Sequence, residues 1–285
     1  MVVTLNLSIL ESLFKRSINF CKRKAFLFGI QAQLIYLKNR SFFLPMASIG
    51  FAILVLDEEI ELEDTYQTHK DAFVERGLDH EIFIINDGST DRTGFIADEI
   101  AARDPLVKVI HHKNTLGFGY GYKEGIRLTV KDYYMYAIGA NLIKKDDIHL
   151  ALDFIGKKDA VLFHVQNPKI KPFKRQKITA LFTFLLNFLT GLDLHYYNAL
   201  YLCRTECLRS LDLRLDSHGF QAEAVIQLIK HVECSYQELG FALKLRRSNS
   251  SGLRRDKMLD GVTILSQLFW EKYFRSEGRF SRKKK

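Results

Sequence analysis

The sequence predicts an α/β fold with a mostly parallel sheet, and three observations indicate it. Short apolar runs rich in β-branched residues, typical of buried parallel strands, occur at 51–56, 82–85, 107–110 and 133–138. Polar stretches of helical length, such as 60–77, separate these runs. Several runs end directly in polar side chains, and ligands of open α/β sheets bind at the carboxyl ends of strands.

The first predicted strand ends in the acidic residues 57–59. The helical stretch 60–77 then carries the chain to the second strand, which makes a βαβ unit with a right-handed crossover. Asp57 and Glu59 are therefore the first candidates for contact with a ligand.

The second predicted strand, 82–85, runs into the polar turn Asn86-Asp87-Gly88-Ser89-Thr90-Asp91. We expect Asp87 where the strand stops, Gly88 in the sharp turn, and one of residues 89–91 as the cap of the next helix. Acceptors held there could take hydrogen bonds from a nucleobase or a ribose. The alternative is an ordinary strand–turn–helix connection with a capping aspartate.

The third predicted strand leads to the glycine-rich segment 114–125. Glycine has no Cβ, so Gly117, Gly119 and Gly121 allow another group to approach the backbone closely.

Together these segments resemble the family 2 glycosyltransferases of the GT-A fold, and among them the polyprenyl-phosphate sugar transferases such as dolichyl-phosphate mannose synthases. Those enzymes have an Asn-Glu-Glu strand end, an Asp-Asp-Gly-Ser-Thr-Asp-x-Thr turn and an Asn-x-Gly-x-Gly-x-Ala-x-x-x-Gly segment. The matching residues here are 57–59, 86–93 and 114–125, and the resemblance runs from about residue 48 to 272.

The resemblance implies transfer of a hexose from a GDP- or UDP-linked sugar to a polyprenyl phosphate or a similar acceptor at a membrane surface. It places the nucleoside against four acidic side chains: Asp57, Glu59, Asp87 and Asp91. It also implies that Gly117 and Gly119 let the backbone approach the donor.

The fourth predicted strand departs from the family, because Gly139-Ala140-Asn141 follows it. Relatives carry an Asp-x-Asp or similar acid there, which holds Mg²⁺ or Mn²⁺ on the donor diphosphate. Hard cations need anionic oxygen ligands, and Asn141 offers one neutral oxygen to the donor site. No metal ligand is therefore assigned, and a divalent metal stays an open expectation.

Asp146 and Asp147 follow soon after. They either reach into the site or begin a helix at 147–155, where acidic side chains favour the N-terminus. The missing acids also raise a second hypothesis, namely a relative that binds nucleotide sugar without turnover, as a regulatory or partner subunit.

A basic stretch near the C-terminus resembles the family's Arg-x-x-Gly-x-Ser-Lys segment, which contacts phosphates. The resemblance implies a catalytic clamp of Arg246 and Arg247, with Ser250 and Ser251 binding phosphate. The clamp could partly replace the charge of the missing metal. A solvated basic loop is the alternative.

Glu223 lies within an apolar helical stretch, 222–229. A carboxylate there is either buried and paired or faces the cleft. The resemblance implies a catalytic role for Glu223, either orienting the acceptor or holding an arginine.

Three regions are predicted. Residues 1–47 form a helical, basic, amphipathic N-terminal extension, either an interfacial helix or a helical cap on the main domain. Residues 48–245 form the GT-A-like domain. Residues 246–285 contain the basic loop, an amphipathic helix at 256–273 and a basic tail.

The apolar segment 178–194 follows several lysine and arginine residues. It is either a buried core helix or a helix at an anionic membrane face, and the resemblance favours the interface. No run reaches the roughly 18–20 apolar residues of a membrane span. We therefore expect a cytoplasmic protein with peripheral contact on the cytoplasmic membrane face.

The chain of 285 residues has a formal net charge of +9. A basic chain can bind nucleic acid, but no aromatic platform lies beside the basic loop, so no nucleic-acid partner is expected. The expected partners are a nucleotide sugar and a lipid phosphate.

Overall fold

The computed structural model describes residues 47–170, 172–198, 200–216, 219–245 and 264–265. The extension predicted at 1–47 and the elements predicted at 246–285 lie outside this part of the chain, apart from residues 47 and 264–265.

The described residues form a seven-stranded sheet with the order β3-β2-β1-β4-β6-β5-β7. The strands are β1 (Ser48–Val55), β2 (Asp79–Asn86), β3 (Val107–His111), β4 (Tyr133–Ile138), β5 (Ala160–Val165), β6 (Leu200–Arg204) and β7 (Tyr236–Phe241). Strand β6 is antiparallel to both of its neighbours, and every other pair is parallel. The predicted α/β class with a mostly parallel sheet is confirmed.

Helices connect the strands. They are α1 (Leu62–Glu75), α2 (Thr93–Arg103), α3 (Phe118–Leu128), α4 (Lys145–Leu152), α5 (Phe173–Thr190), α6 (Thr205–Arg209) and α7 (Phe220–Lys230), with a short 3-10 helix at Pro168–Ile170. The helix predicted at 147–155 begins two residues earlier and ends three residues earlier than predicted. Asp146 and Asp147 therefore lie in its first turn, where their charge suits the helix dipole.

Apolar side chains cover both faces of the sheet. In β1, Ala52 and Leu54 pack into one cluster with α7, whereas Phe51 and Ile53 pack into another with α1. Successive residues of a strand point to opposite faces, so a strand buried on both faces must be apolar almost throughout. This burial explains the apolar run that predicted the strand.

The register brings the carboxyl ends of four strands to one edge. Val55 of β1 pairs with Asn86 of β2, which pairs with His111 of β3. On the other side, Leu54 pairs with Ile138 of β4. The polar residues that follow these strands therefore emerge together.

Helix α5 contains most of the segment for which a core helix was one alternative. Only Leu186 and Thr190 of this helix are buried, and several large apolar side chains face solvent. The core-helix interpretation is therefore wrong, because among the described residues only one face of the helix packs on the core. Among the described residues, no helix is long and apolar enough to cross a membrane.

Candidate functional site

The turns after β1 and β2 are joined by hydrogen bonds. The backbone N–H of Thr90 donates to Oδ1 of Asp57 at 2.8 Å, and the N–H of Asp57 donates to Ser89 Oγ at 3.0 Å. Asp57 has a φ of 54°, so the chain turns sharply there. Its side chain is exposed. The N–H of Asp87 donates to the carbonyl of Val55, two residues before Asp57, at 2.9 Å.

Glu59 and Asp91 extend this junction. Oε2 of Glu59 accepts the N–H of Arg92 at 3.0 Å, and Oδ2 of Asp91 accepts the N–H of Glu59 at 3.3 Å. The other oxygen of Asp91 accepts the N–H of Thr93, the first residue of α2, at 2.9 Å. Of the predicted capping residues 89–91, Asp91 thus bonds to the start of the helix, although Arg92 occupies the N-cap position.

Asp87 is buried and binds the segment after β3. Its Oδ1 accepts the N–H of Leu116 at 2.8 Å and lies 2.9 Å from Nδ1 of His112, while its Oδ2 accepts the N–H of Gly117 at 2.9 Å. A carboxylate that takes several such bonds fixes the path of the segment it holds. In this structure Asp87 therefore holds the start of the glycine-rich segment in place.

His112 bridges two carboxylates. Its Nε2 lies 2.8 Å from Oε2 of Glu124 on α3, opposite its contact with Asp87. Burial by itself would lower the pKa of His112, but its hydrogen bonds to the two carboxylates outweigh this effect and raise the pKa above 6.5. A charged imidazole suits this position because it can donate to an acid on each side.

The glycines of α3 allow a close approach, and the group that approaches is the segment 215–216. The N–H of Gly119 donates to the carbonyl of Asp216 at 2.7 Å. A Cβ at Gly119 would lie 2.7 Å from the carbonyl oxygen of Leu215, and a Cβ at Gly117 would lie 2.5 Å from that of Asp216. Gly117 also has a φ of 107°, which disfavours other residues.

Glu223 binds the backbone of the neighbouring residues 214–215. It is 4% exposed on α7, and its Oε2 accepts the N–H of Arg214 at 3.0 Å and of Leu215 at 3.2 Å. Of the two predicted environments, the buried and paired one is found. These contacts make Glu223 a positioning residue for the segment that packs against Gly119.

Asn141 is held from two sides after β4. Its N–H donates to Thr65 Oγ1 at 2.8 Å, and its Oδ1 accepts a hydrogen bond from Nζ of Lys244 at 2.8 Å. The backbone N–H of Lys244 also donates to the carbonyl of Leu142 at 2.9 Å. The chain after β7 is thus attached to the chain after β4, and a lysine ammonium lies against the amide oxygen of Asn141.

A buried histidine underlies this junction. His69 of α1 is 1% exposed, stacks on Phe51, and places Nδ1 at 2.8 Å from the carbonyl of Thr65 and Nε2 at 3.0 Å from the hydroxyl of Tyr201. Burial lowers the pKa of His69 to about 4, so its imidazole is neutral near pH 7. Nδ1 donates to the carbonyl, and Nε2 accepts from the tyrosine.

The residues after β4 do not fit a divalent metal. The amide oxygen of Asn141 already accepts a hydrogen bond from an ammonium group, and the side chains of Gly139 and Ala140 offer no ligand atom. A cation bound to that oxygen would lie within a few ångströms of Nζ of Lys244. Two unit charges 4 Å apart repel by about 4 kcal/mol near a protein surface, and a divalent ion doubles this.

The described residues contain one group of three side chains close enough to share a metal ion: His164, His195 and Glu238. This group lies on β5, on β7 and in the segment before β6, and not after β4. The predicted clamp residues Arg246, Arg247, Ser250 and Ser251 lie outside the described residues, so their roles stay predictions.

The sequence pattern of the family described as glycosyl transferase family 2 matches residues 52–213, more than half of the chain. The chain belongs to glycosyltransferase family 2. The match begins within β1 and ends after α6, so it includes all four strand ends of the site.

Two bacterial members of the wider group are similar in sequence. The uncharacterized glycosyltransferase YkcC of Bacillus subtilis is 30% identical over 155 residues, which cover 51% of this chain and 45% of YkcC. The glycosyltransferase GlyG of Streptococcus pneumoniae is 30% identical over 80 residues, which cover 28% of this chain and 27% of GlyG. The matched part therefore spans less than half the length of either relative.

Solved structures show the same fold. Glucosyl-3-phosphoglycerate synthase of Mycobacterium tuberculosis, in complex with Mn²⁺, UDP and glucosyl-3-phosphoglycerate, has a TM-score of 0.58 at 14% identity, covering 79% of this chain and 80% of that one. TarS 1–349 of S. aureus, in complex with UDP-GlcNAc, has a TM-score of 0.55 at 15% identity, covering 80% and 68%. The fold of this family 2 chain is thus the GT-A, Rossmann-like fold.

Sequence reasoning missed three members of the site. His112 follows β3 directly, as Asp87 follows β2, so the strand-end rule could have found it. Glu124 gave no signal beyond its place on a helix next to the glycines. Lys244 was read as part of a basic run, because its contact with Asn141 joins residues 103 positions apart.

Proposed function

We propose that this family 2 glycosyltransferase moves a hexose from a GDP- or UDP-linked sugar to a polyprenyl phosphate or a similar phosphate acceptor at a membrane surface. The hydrogen-bonded ends of β1, β2 and β4 support binding of the donor. The exposed apolar side chains of α5 support binding of a lipid-linked acceptor.

In the donor half, the nucleoside lies against the turns after β1 and β2. Asp57 and Glu59 are exposed at these turns, so their carboxylates are accessible to the N–H groups of a base or the hydroxyls of a ribose. Asp91 fixes the shape of the junction, and buried Asp87 fixes the adjoining glycine-rich segment. We infer that Asp87 acts by positioning and does not touch the nucleoside.

In the acceptor half, a phosphate oxygen attacks the anomeric carbon as the bond from that carbon to the donor diphosphate breaks. The nucleoside diphosphate leaves with the electron pair. A phosphate is anionic near neutral pH, so it needs cationic positioning more than a general base. The predicted clamp of Arg246 and Arg247, with Ser250 and Ser251, would supply that positioning.

Helix α5 supports a lipid-linked acceptor. Ile178, Leu181 and Phe184 are 44–65% exposed, and their spacing of three residues places them on one side of the helix. Lys174 and Lys177 lie in the first two turns. An apolar face beside lysines suits an anionic cytoplasmic leaflet, and this supports a peripheral location there.

A vesicle experiment tests the membrane contact. We expect the full chain to sediment with vesicles that contain anionic lipid, and the triple variant Ile178→Ser, Leu181→Ser, Phe184→Ser to bind at least fivefold less. Phe95 and Leu150 are similarly exposed on other helices, so Phe95→Ser with Leu150→Ser is the matched control. Equal loss in both variants would contradict the assignment of this face.

A transfer assay tests the reaction. Purified full chain is incubated with UDP- and GDP-hexoses and a short polyprenyl phosphate, with EDTA or with Mn²⁺, and the glycolipid product is quantified. Product from one nucleotide sugar supports the proposal. Tight, saturable donor binding without product from any acceptor phosphate would favour the second hypothesis, a non-catalytic relative, for which Gly139-Ala140-Asn141 is the motivating observation.

A further inference from the structure

The contact between Lys244 and Asn141 occupies the position at which relatives of this family carry a metal-binding acid. Two independent bonds hold it: Nζ of Lys244 donates to Oδ1 of Asn141, and its backbone N–H donates to the carbonyl of Leu142. A side chain tethered at its own backbone is restricted in where its ammonium can go. These two hydrogen bonds therefore fix the positive charge of Lys244 near the end of β4.

We propose that the ammonium of Lys244 is the resident cation of the donor-diphosphate site, so that this chain binds nucleoside diphosphate sugars without a divalent metal. The inference rests on the proposed donor site. The arginines predicted to replace part of the metal's charge lie outside the described residues, so their role stays a prediction.

The chemistry of the two residues agrees with this proposal. A neutral amide oxygen is a weak ligand for a hard divalent cation but a good acceptor for an ammonium group. A lysine ammonium is a compact point charge and a common phosphate binder. Asn141 has a φ of 43°, and its own N–H is held by Thr65, so its amide is aimed by the backbone.

Titratable groups on two helices interact with Lys244. Asp147, in the first turn of α4, interacts electrostatically with Lys244 and with Lys144, and one oxygen of Asp147 is buried without a hydrogen-bond partner among the described residues. His69 of α1, which also interacts electrostatically with Lys244, is neutral near pH 7 and adds no positive charge.

In the reaction, the bond from the anomeric carbon to the diphosphate oxygen breaks, and the electron pair stays on the diphosphate. An ammonium group beside that oxygen offsets the charge as it develops, which is the work a metal does elsewhere. No proton has to move, because the leaving diphosphate departs as an anion and the attacking phosphate is already ionised. Lys244 would act at the leaving group, whereas the clamp residues would act at the acceptor.

Calorimetric titration of the full chain with UDP and GDP tests the inference. One of the two nucleotides should bind more tightly than the other. We expect its Kd in EDTA to differ less than twofold from its Kd in millimolar Mn²⁺ or Mg²⁺. In EDTA, Lys244→Met should weaken its binding at least tenfold while changing the affinity of the matching nucleoside less than twofold. Lys244→Arg keeps the charge, so its Kd for the same nucleotide should lie within about threefold of the wild-type Kd.

Lys157 is an exposed lysine in the turn after α4, so Lys157→Met is the control for loss of one positive charge. Binding of the nucleoside diphosphate by the wild type only with metal would overturn the inference and leave the donor site standing. Loss of nucleoside and nucleoside diphosphate together in Lys244→Met would also overturn it, because Lys244 would then shape the pocket only. No binding of either nucleotide under any condition would overturn the proposed function, and this inference with it.

Discussion

At the scale of single residues, position after a strand predicted where a side chain lies but not what it binds. Asp87 was predicted as a nucleoside contact from its place after β2. In the structure its carboxylate binds His112 and two backbone N–H groups of the next segment, and contact with a nucleoside stays a prediction. Sequence could not show this, because the partners lie 25 to 30 residues away and only the sheet register brings them together.

The first prediction concerns this carboxylate. Asp87→Asn keeps the size of the side chain, but an amide nitrogen cannot accept the hydrogen bond that a carboxylate oxygen takes. A buried donor left unsatisfied costs about 1–3 kcal/mol, so we expect a loss of about 2 kcal/mol in the free energy of unfolding, measured by urea denaturation. Asp98, whose side chain is 65% exposed, is the control, and Asp98→Asn should change it by less than about 0.5 kcal/mol. Equal stability of the two variants would contradict the role given to Asp87.

The second prediction concerns pH. The pKa of His69 is about 4 in the folded chain and near 6.5 when the chain is unfolded, so protonation favours unfolding. The stabilisation from a neutral His69 is complete above pH 6.5 and is lost as pH falls toward 4. At about 1.4 kcal/mol per unit of pKa, protonation of His69 lowers the free energy of unfolding by roughly 3 kcal/mol.

The measurement compares wild type with His69→Phe, which cannot take up a proton. We expect the difference in unfolding free energy, wild type minus variant, to fall by roughly 3 kcal/mol between pH 7 and pH 4. A difference that stays constant over this range would show that His69 does not titrate as the burial implies.

At the scale of elements, apolar runs were sufficient to predict β1 to β4 and the helix that follows β1. These strands are buried on both faces, so their sequences carry a strong signal. The glycine segment was also recognised, but its partner was not. In the structure, residues 215–216 approach Gly119 closely, and the predicted approach of the donor to Gly117 and Gly119 stays a prediction.

The third prediction separates two glycines of helix α3. A Cβ at Gly119 would lie 2.7 Å from a backbone carbonyl oxygen, whereas a Cβ at Gly121 would lie 3.3 Å from the side chains of Ile85 and Leu54. Side chains can shift by a few tenths of an ångström, and a backbone held by Glu223 cannot do so easily. We therefore expect Gly119→Ala to cost about 1–3 kcal/mol and to weaken donor binding.

Gly121→Ala is the matched control, since it adds the same methyl group two residues further along the helix and gains helix propensity. It should stay within about 1 kcal/mol of the wild type in the same denaturation assay. If Gly119→Ala is as stable as Gly121→Ala, the packing of segment 215–216 on α3 does not constrain this glycine.

At the scale of the whole molecule, the fold class followed from the sequence, but three of the seven strands did not. Strands β5, β6 and β7 were not predicted. They pair across the chain, with β6 antiparallel between β4 and β5, and such pairing leaves no local pattern. The Lys244–Asn141 contact depends on these strands, because Lys244 follows β7 and lies at the end of β4.

The last prediction tests whether the assembled sheet edge forms a nucleotide site. A ligand that binds only the folded chain, present at 100 times its Kd, stabilises it by about 2.7 kcal/mol. For a chain of this size that corresponds to a rise in Tm of roughly 5–10 °C, measurable by a thermal shift assay in EDTA.

The net charge of +9 attracts any polyanion, so inorganic diphosphate is the necessary control. We expect either UDP or GDP to raise Tm well above inorganic diphosphate and above the other nucleotide, because the proposed donor site places the base and ribose against the turns after β1 and β2. Equal rises in Tm with both nucleotides and with diphosphate would mean that the chain recognises only negative charge. The proposal that Asp57 and Glu59 bind the nucleoside would then be wrong.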